Sequence, residues 1–229
     1  MFNLERKISI IFIFILILTT LFTPYDNGPA IRSDGYGYSV WAKKISNPDY
    51  EMCNDPDLKK IGAIRLENEL GTKCVNKYPP GVGIFQSPFF AIFKSIKSQS
   101  VFTKLDHFMV LTIGASLLFI SCFLIHKINL SSGISKEISL ISLLAFLFGG
   151  GLFHHGTYEA SFSHIYSVFG YTICLYLIKR IKDKRVNHIY YPLIFIVSIW
   201  LNLVRITNVL LTFSIFVMGV MSVKEPNSN

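Results

Sequence analysis

A chain of 229 residues that is 51% hydrophobic and only 16% charged, with a mean hydropathy of +0.46, carries more apolar surface than one soluble core buries. The formal charge of +8 would suit a nucleic-acid ligand, but the lysines and arginines flank apolar runs instead of forming a stripe. That excludes nucleic acid as a partner, makes membrane lipid the expected surroundings, and turns the basic residues into topology signals.

In chain order, Arg6-Lys7 precede an apolar run over about 8–23 that lacks a small-x-small cleavage site, which predicts an uncleaved first span. A long polar loop follows over 24–106. It holds Cys53 and Cys74, and in an oxidising compartment both a Cys53–Cys74 bridge and free thiols stay open. Near its end, the stretch over about 81–96 contains Pro88 and is shorter than the roughly 20 residues needed to cross about 30 Å of hydrocarbon. It is expected to be an interfacial or re-entrant helix.

Apolar stretches over about 107–126, 138–153, 163–178, 189–203 and 207–223 predict five further spans, the last two hinged near Arg205. Cys122 and Cys174 lie inside these runs and read as packing residues. Gly149-Gly150-Gly151 lacks a preceding strand and a following Lys-Ser/Thr pair, so it reads as helix packing or a helix end instead of a nucleotide loop. The fold class is therefore all-α: one multi-pass transmembrane domain over 1–229 with a long extracytoplasmic first loop. Lysine and arginine stay on the cytoplasmic side of short loops. If 81–96 does not cross, the basic segments His126-Lys127 to Lys136 and Lys179 to Arg185 are both cytoplasmic. Asp34, Lys77-Tyr78-Pro79, the segment from His154 to His164 and Arg205 then share the outer face.

These outer residues are the candidates for chemistry. Asp34, in Ile31-Arg32-Ser33-Asp34-Gly35-Tyr36-Gly37-Tyr38, could act as general base toward an acceptor hydroxyl, or could mark an Asp-Gly turn beside interface-seeking tyrosines. Asp26 is a second carboxylate in a plainer turn, Asp26-Asn27-Gly28-Pro29. His154, His155, Glu159 and His164 could bind a phosphate or a metal, but their spacing matches no zinc pattern. His155 and Glu159 face each other only if Gly156 leaves the helix unbroken, and a hydrogen-bonded polar cap is the plain alternative. No metal ligands are expected, although a divalent cation as cofactor stays open. Arg205 stands almost alone in an apolar stretch, where a mid-membrane guanidinium costs about 2.5–3.5 kcal/mol. It either marks a tight turn or meets an anion such as a phosphate. Lys77-Tyr78-Pro79-Pro80-Gly81-Val82-Gly83 predicts a rigid turn with close approach of the chain to a headgroup or substrate.

The ordered set of segments resembles the N-terminal part of the GT-C superfamily of multi-pass glycosyltransferases, in particular its protein mannosyltransferase and lipid A aminoarabinose transferase groups. The matching pieces are the first span, Ser33-Asp34-Gly35-Tyr36-Gly37-Tyr38, Asn76-Lys77-Tyr78-Pro79 before a Pro-Phe-Phe helix, Thr157 to His164 before a span, and Val204-Arg205-Ile206-Thr207-Asn208. The family pattern has proline where this chain has Ile206. The resemblance implies transfer of a sugar from a polyprenyl-phosphate carrier to an acceptor on the outer side, with Asp34 as catalytic base. It further implies Tyr36, Lys77, Tyr78, His155, Glu159, His164 and Arg205 as substrate- and carrier-binding residues. Family members continue through more spans, so the chain is expected to be a shortened form or to draw missing spans from a membrane-protein partner. A non-catalytic subunit that binds carrier lipid and a small anion transporter remain the alternative readings. The absence of an internal repeat speaks against the transporter.

Overall fold

In a computed structural model of the chain, the described residues are 10, 13–14, 30–55, 58–59, 62, 64–66, 74–92, 102–183 and 189–224. The predicted first span over 8–23, all but three of its residues, and Asp26 lie outside them. The described chain is mostly helical, with helices α1 (Asp34–Ser46), α2 (Gly81–Ile92), α3 (Lys104–Ser131), α4 (Lys136–Gly149), α5 (Leu152–Thr157), α6 (Ser163–Lys182), α7 (Tyr190–Val204) and α8 (Val209–Lys224). The loop before α2 also forms a small antiparallel hairpin that the all-helical expectation did not contain, β1 (Ile64–Leu66) on β2 (Cys74–Asn76), with Arg65 opposite Val75.

Local chemistry sets the helix ends. Thr103 and Asp106 form a reciprocal capping box at the start of α3: the Thr103 hydroxyl accepts from the Asp106 amide at 3.2 Å and Asp106 Oδ2 accepts from the Thr103 amide at 2.7 Å. Ser135 caps α4 through Ile138 N at 3.3 Å. The stretch over 138–153 is not one span, because α4 stops at Gly149 and Gly151 turns left-handed at φ 68° before the short α5 begins. The triple glycine is thus a helix end. Within α2, Pro88 lacks the amide that would bond the Ile84 carbonyl, and the Ser87 hydroxyl takes that carbonyl instead at 2.9 Å.

Glycines lie at the tightest seams of the bundle. A Cβ on Gly37 would strike the Tyr78 ring, one on Gly83 would strike Trp41 and the Ala42 backbone, and one on Gly81 would strike the backbone of Leu203 and Val204. The close approach expected of Gly81 and Gly83 is therefore to α7 and α1, not to a ligand. Trp200 Nε1 donates to the Gly81 carbonyl at 2.9 Å across the same seam. Around it Tyr166, Leu118, Ile165, Val110 and Val204 are fully buried, and Gln86 Nε2 donates to the Tyr166 hydroxyl at 2.7 Å.

Helices α3 to α8 run up and down, which sorts the charges. Ile31 N donates to His107 Nδ1 at 3.1 Å at the start of α3, while His126 Nδ1 meets the Ser139 hydroxyl at 2.8 Å where α3 ends and α4 begins. Lys127, Lys136, Lys179, Arg180 and Lys182 gather at that second end, away from residues 31–34, 154–164 and 205. Cys53 is disulfide-bonded, and Cys122 and Cys174 are free, buried thiols.

Among the described residues α3 is the helix both long and apolar enough to cross a membrane, by length and composition. Helices α4, α7 and α8 have 14, 15 and 16 residues, fewer than the roughly 20 that a full span takes. Their outward faces are nonetheless strongly apolar: Ile141, Phe148, Phe195, Leu210, Phe213 and Phe216 are each more than half exposed. Hydroxyls on α3, α4 and α6 return to their own helices, with Thr112 on Phe108 O at 2.9 Å, Ser116 on Thr112 O at 2.8 Å and Ser142 on Ile138 O at 2.8 Å.

Candidate functional site

The segment leading into α1 is clamped at three successive residues. The Ser161 hydroxyl donates to the Ala30 carbonyl at 2.6 Å, His107 Nδ1 accepts from the Ile31 amide, and Arg32 Nη2 meets Glu159 Oε1 at 3.2 Å. The Arg32 guanidinium also lies 3.9 Å from the centre of the Tyr158 ring. Ala30 and Ile31 are buried. Ser33 then takes φ 45°, ψ −128°, the geometry of the first central residue of a type II′ turn, which glycine adopts readily and other residues only at about 1–3 kcal/mol. Among the described residues it is the non-glycine residue with positive φ. Asp34 follows as the first residue of α1 and is exposed. Gly35 is helical and packs against Ser161, so it is a contact point and not the flexible neighbour of Asp34 that the Asp-Gly pair suggests.

Among the described residues Asp34 has one fixed donor. The Tyr78 hydroxyl donates to its Oδ1 at 2.5 Å. Tyr78 is itself fixed from both sides: Asn76 Oδ1 accepts from its amide at 3.0 Å, Asn76 Nδ2 donates to Gly37 O at 2.8 Å, and Trp41 Nε1 donates to the Tyr78 carbonyl at 2.8 Å. Burial, and after it the bond to Asp34, push the Tyr78 phenol well above the ordinary tyrosine range, so it stays a donor throughout neutral pH. The sign follows from linkage. A phenol raised on folding contributes stability that is full below about pH 10, the unfolded value, and is lost as pH climbs from there toward the folded one. In a difference titration of the unaltered chain against Tyr78→Phe, the phenolate absorbance of Tyr78 should emerge above the ordinary tyrosine range. In an Asp34→Asn background it should move down part of the way, since burial is the larger cause. Ionisation of Tyr78 in the ordinary range would remove the bond.

Glu159 is the hub of the neighbouring cluster. Besides Arg32, its carboxylate has His155 Nδ1 at 2.9 Å and His154 Nε2 at 3.5 Å. The His155 contact is close but turned off the hydrogen-bond direction, so it is a contact and not a directed bond. Helix α5 continues through Gly156, which is why His155 and Glu159 face each other. The rings of His155 and His164 lie 4.4 Å apart, and Arg205 Nη1 lies 3.4 Å from His164 Nδ1. Arg205 itself is exposed and extended at φ −159° between α7 and the 3-10 turn Ile206–Asn208. Asn208 fixes that turn by donating to Ser167 Oγ at 2.9 Å and to Leu201 O at 2.8 Å. No carboxylate among the described residues pairs with Arg205. Nor is there, among them, a group of three His, Cys, Asp or Glu arranged to hold a metal ion.

Of the residues singled out in the sequence, Asp34 and Tyr78 are bonded, and His155, Glu159, His164 and Arg205 form one run that Arg32 ties back to the Asp34 turn. Tyr36 is elsewhere: its ring packs edge-on against Phe102 at 4.7 Å. Lys77 is exposed, its ammonium 5.0 Å from the Tyr78 ring centre. Arg32 and Tyr158 belong to the cluster but were not picked from the sequence, whereas His154 was and lies at Glu159. Arg32 could have been, since a cation two positions before a candidate base needs a counter-charge. Against this geometry, no family model, no curated protein and no solved structure matches the chain.

Proposed function

We propose that the chain is a multi-pass membrane glycosyltransferase, or the N-terminal part of one, which moves a sugar from a polyprenyl-phosphate carrier to an acceptor on the extracytoplasmic side. The observation that carries the reading is the unbroken run from the Asp34 turn through Arg32, Glu159, His155 and His164 to Arg205 at one end of the bundle. An exposed carboxylate and an exposed guanidinium with which no carboxylate among the described residues pairs suit an inverting displacement. Asp34 takes the proton of the acceptor hydroxyl, the freed oxygen attacks the anomeric carbon, and the bond from that carbon to the carrier phosphate breaks. The departing phosphate takes the bonding electron pair as negative charge, and Arg205 with His164 is suited to receive it. Glu159 already faces the Arg32 guanidinium and two imidazoles and serves as structural counter-charge, not as a second base.

Membrane residence is supported by the lipid-compatible outward faces of α4, α7 and α8, by the self-satisfied hydroxyls, and by the collection of basic residues at the far end. The Cys53 disulfide suits a loop on the oxidising side. Two measurements test the proposal. The chain in its own membranes, which carry the acceptor, given polyprenyl-phosphate-linked hexoses and pentoses should release polyprenyl phosphate from one of them faster than membranes lacking the chain, and release from none would refute sugar transfer. In intact cells a membrane-impermeant thiol reagent should label Asp34→Cys from outside and Asp183→Cys only after permeabilisation. The reverse pattern would invert the topology.

A further inference from the structure

The turn before Asp34 combines two features that act against each other. Ser33 occupies a backbone geometry that any L side chain resists, and the three residues before it are each tied down: Ala30 to Ser161 and Arg32 to Glu159 and Tyr158, all in the turn between α5 and α6, and Ile31 to His107 on α3. Ser33 has no capping bond of its own to offset the strain, since its side chain is exposed and makes no contact with the first amides of α1. Its carbonyl accepts from the Tyr36 amide at 3.0 Å, which starts α1. After the turn, Asp34 is fixed by Tyr78, and Gly35 is pressed against Ser161. Strain in such a place persists only where the surroundings over-determine it.

We infer that residues 30–33 form a strained latch, closed by the Arg32–Glu159–Tyr158 contact, that sets the direction in which Asp34 is presented, so that Arg32 is a positioning residue for Asp34. The logic is mechanical. With Arg32 removed, one tie is gone, and Ser33 gains by rotating out of the positive-φ region, which swings the first turn of α1 and moves Asp34 off Tyr78. A glycine at position 33 feels no such drive, so the same turn stays populated with the tie missing. A direct electrostatic role of Arg32 toward a ligand predicts no dependence on residue 33 at all.

The experiment compares Arg32→Gln in three backgrounds: native Ser33, Ser33→Gly and Ser33→Ala, as full chains in detergent. The melting arm is independent of any activity. Ser33→Gly should raise the apparent Tm by about 2–4 °C when Arg32 is present, as expected for relief of modest strain in a chain of this size, and by clearly less when Arg32 is glutamine. Ser33→Ala should not raise it. The kinetic arm rests on the sugar-transfer reading. There Arg32→Gln should lower kcat about tenfold or more with the carrier KM unchanged, and Ser33→Gly, but not Ser33→Ala, should restore most of the loss. Equal Tm shifts from Ser33→Gly with and without Arg32, or equal kinetic losses in the glycine and alanine backgrounds, would overturn the latch. Should the unaltered chain transfer no sugar, the sugar-transfer reading falls and the melting comparison alone decides the latch.

Discussion

Asp34→Asn should reduce sugar transfer by about 10²–10⁴-fold in kcat, the range that a positioned general base contributes, equivalent to about 3–5 kcal/mol of barrier. Asparagine keeps the shape of the side chain and an oxygen that can accept from Tyr78, so the fold around the first turn of α1 should survive and the melting behaviour should barely change. What is lost is the second lone-pair site and the charge that draws a proton from a hydroxyl. The carrier KM should stay near its original value, because Asp34 addresses the acceptor and not the phosphate. Steady-state kinetics on folded, membrane-inserted protein reads both numbers. Transfer at an undiminished rate would take Asp34 out of the chemistry.

Arg205→Ala should lower kcat/KM for transfer by roughly 10²-fold, about 3 kcal/mol, the size of effect seen when one donor to a developing anionic charge is removed. Its polar contact with the described residues is the 3.4 Å approach to His164, too long to hold the fold, so little stability should go with it. Arg205→Lys should recover only part of the activity, because lysine keeps the charge and loses the planar fork that meets two phosphate oxygens at once. Binding of polyprenyl phosphate alone, measured by competition against a fluorescent carrier analogue, should weaken in the alanine variant and weaken further as salt rises. Unaltered carrier binding and transfer in Arg205→Ala would leave this arginine a mere turn marker.

Much of this arrangement was legible in the sequence, and the reasons for the remainder are physical. Basic residues at the ends of α3 and α6 and polar residues at the opposite ends could be sorted because charge cannot stay in an apolar run. The break between α4 and α5 was announced by three successive glycines. By contrast, the glycines at 35, 37, 81 and 83 looked like turn residues, and their actual task, letting helices touch, depends on which helix lies opposite. Tyr36 was assigned to the site because it shares a motif with Asp34. Two positions along a helix is a rotation of about 200°, so its ring points to the opposite side and meets Phe102. Ser33 carried no signal whatever, because its dihedral angles result from tertiary ties reaching as far as Ser161.

The glycine seam between α2 and α7 has a bearing on how anything reaches Asp34. Where backbone meets backbone without an intervening side chain, there is no soft material to compress, and the stretch bearing Tyr78 shifts only together with the end of α7 that bears Arg205. Hinged opening between those two helices is thereby barred. Under the proposed sugar transfer, access of a lipid-linked substrate to Asp34 would then rest on rotation of exposed groups such as the Arg205 side chain, a matter of rotamers and not of moving these helices.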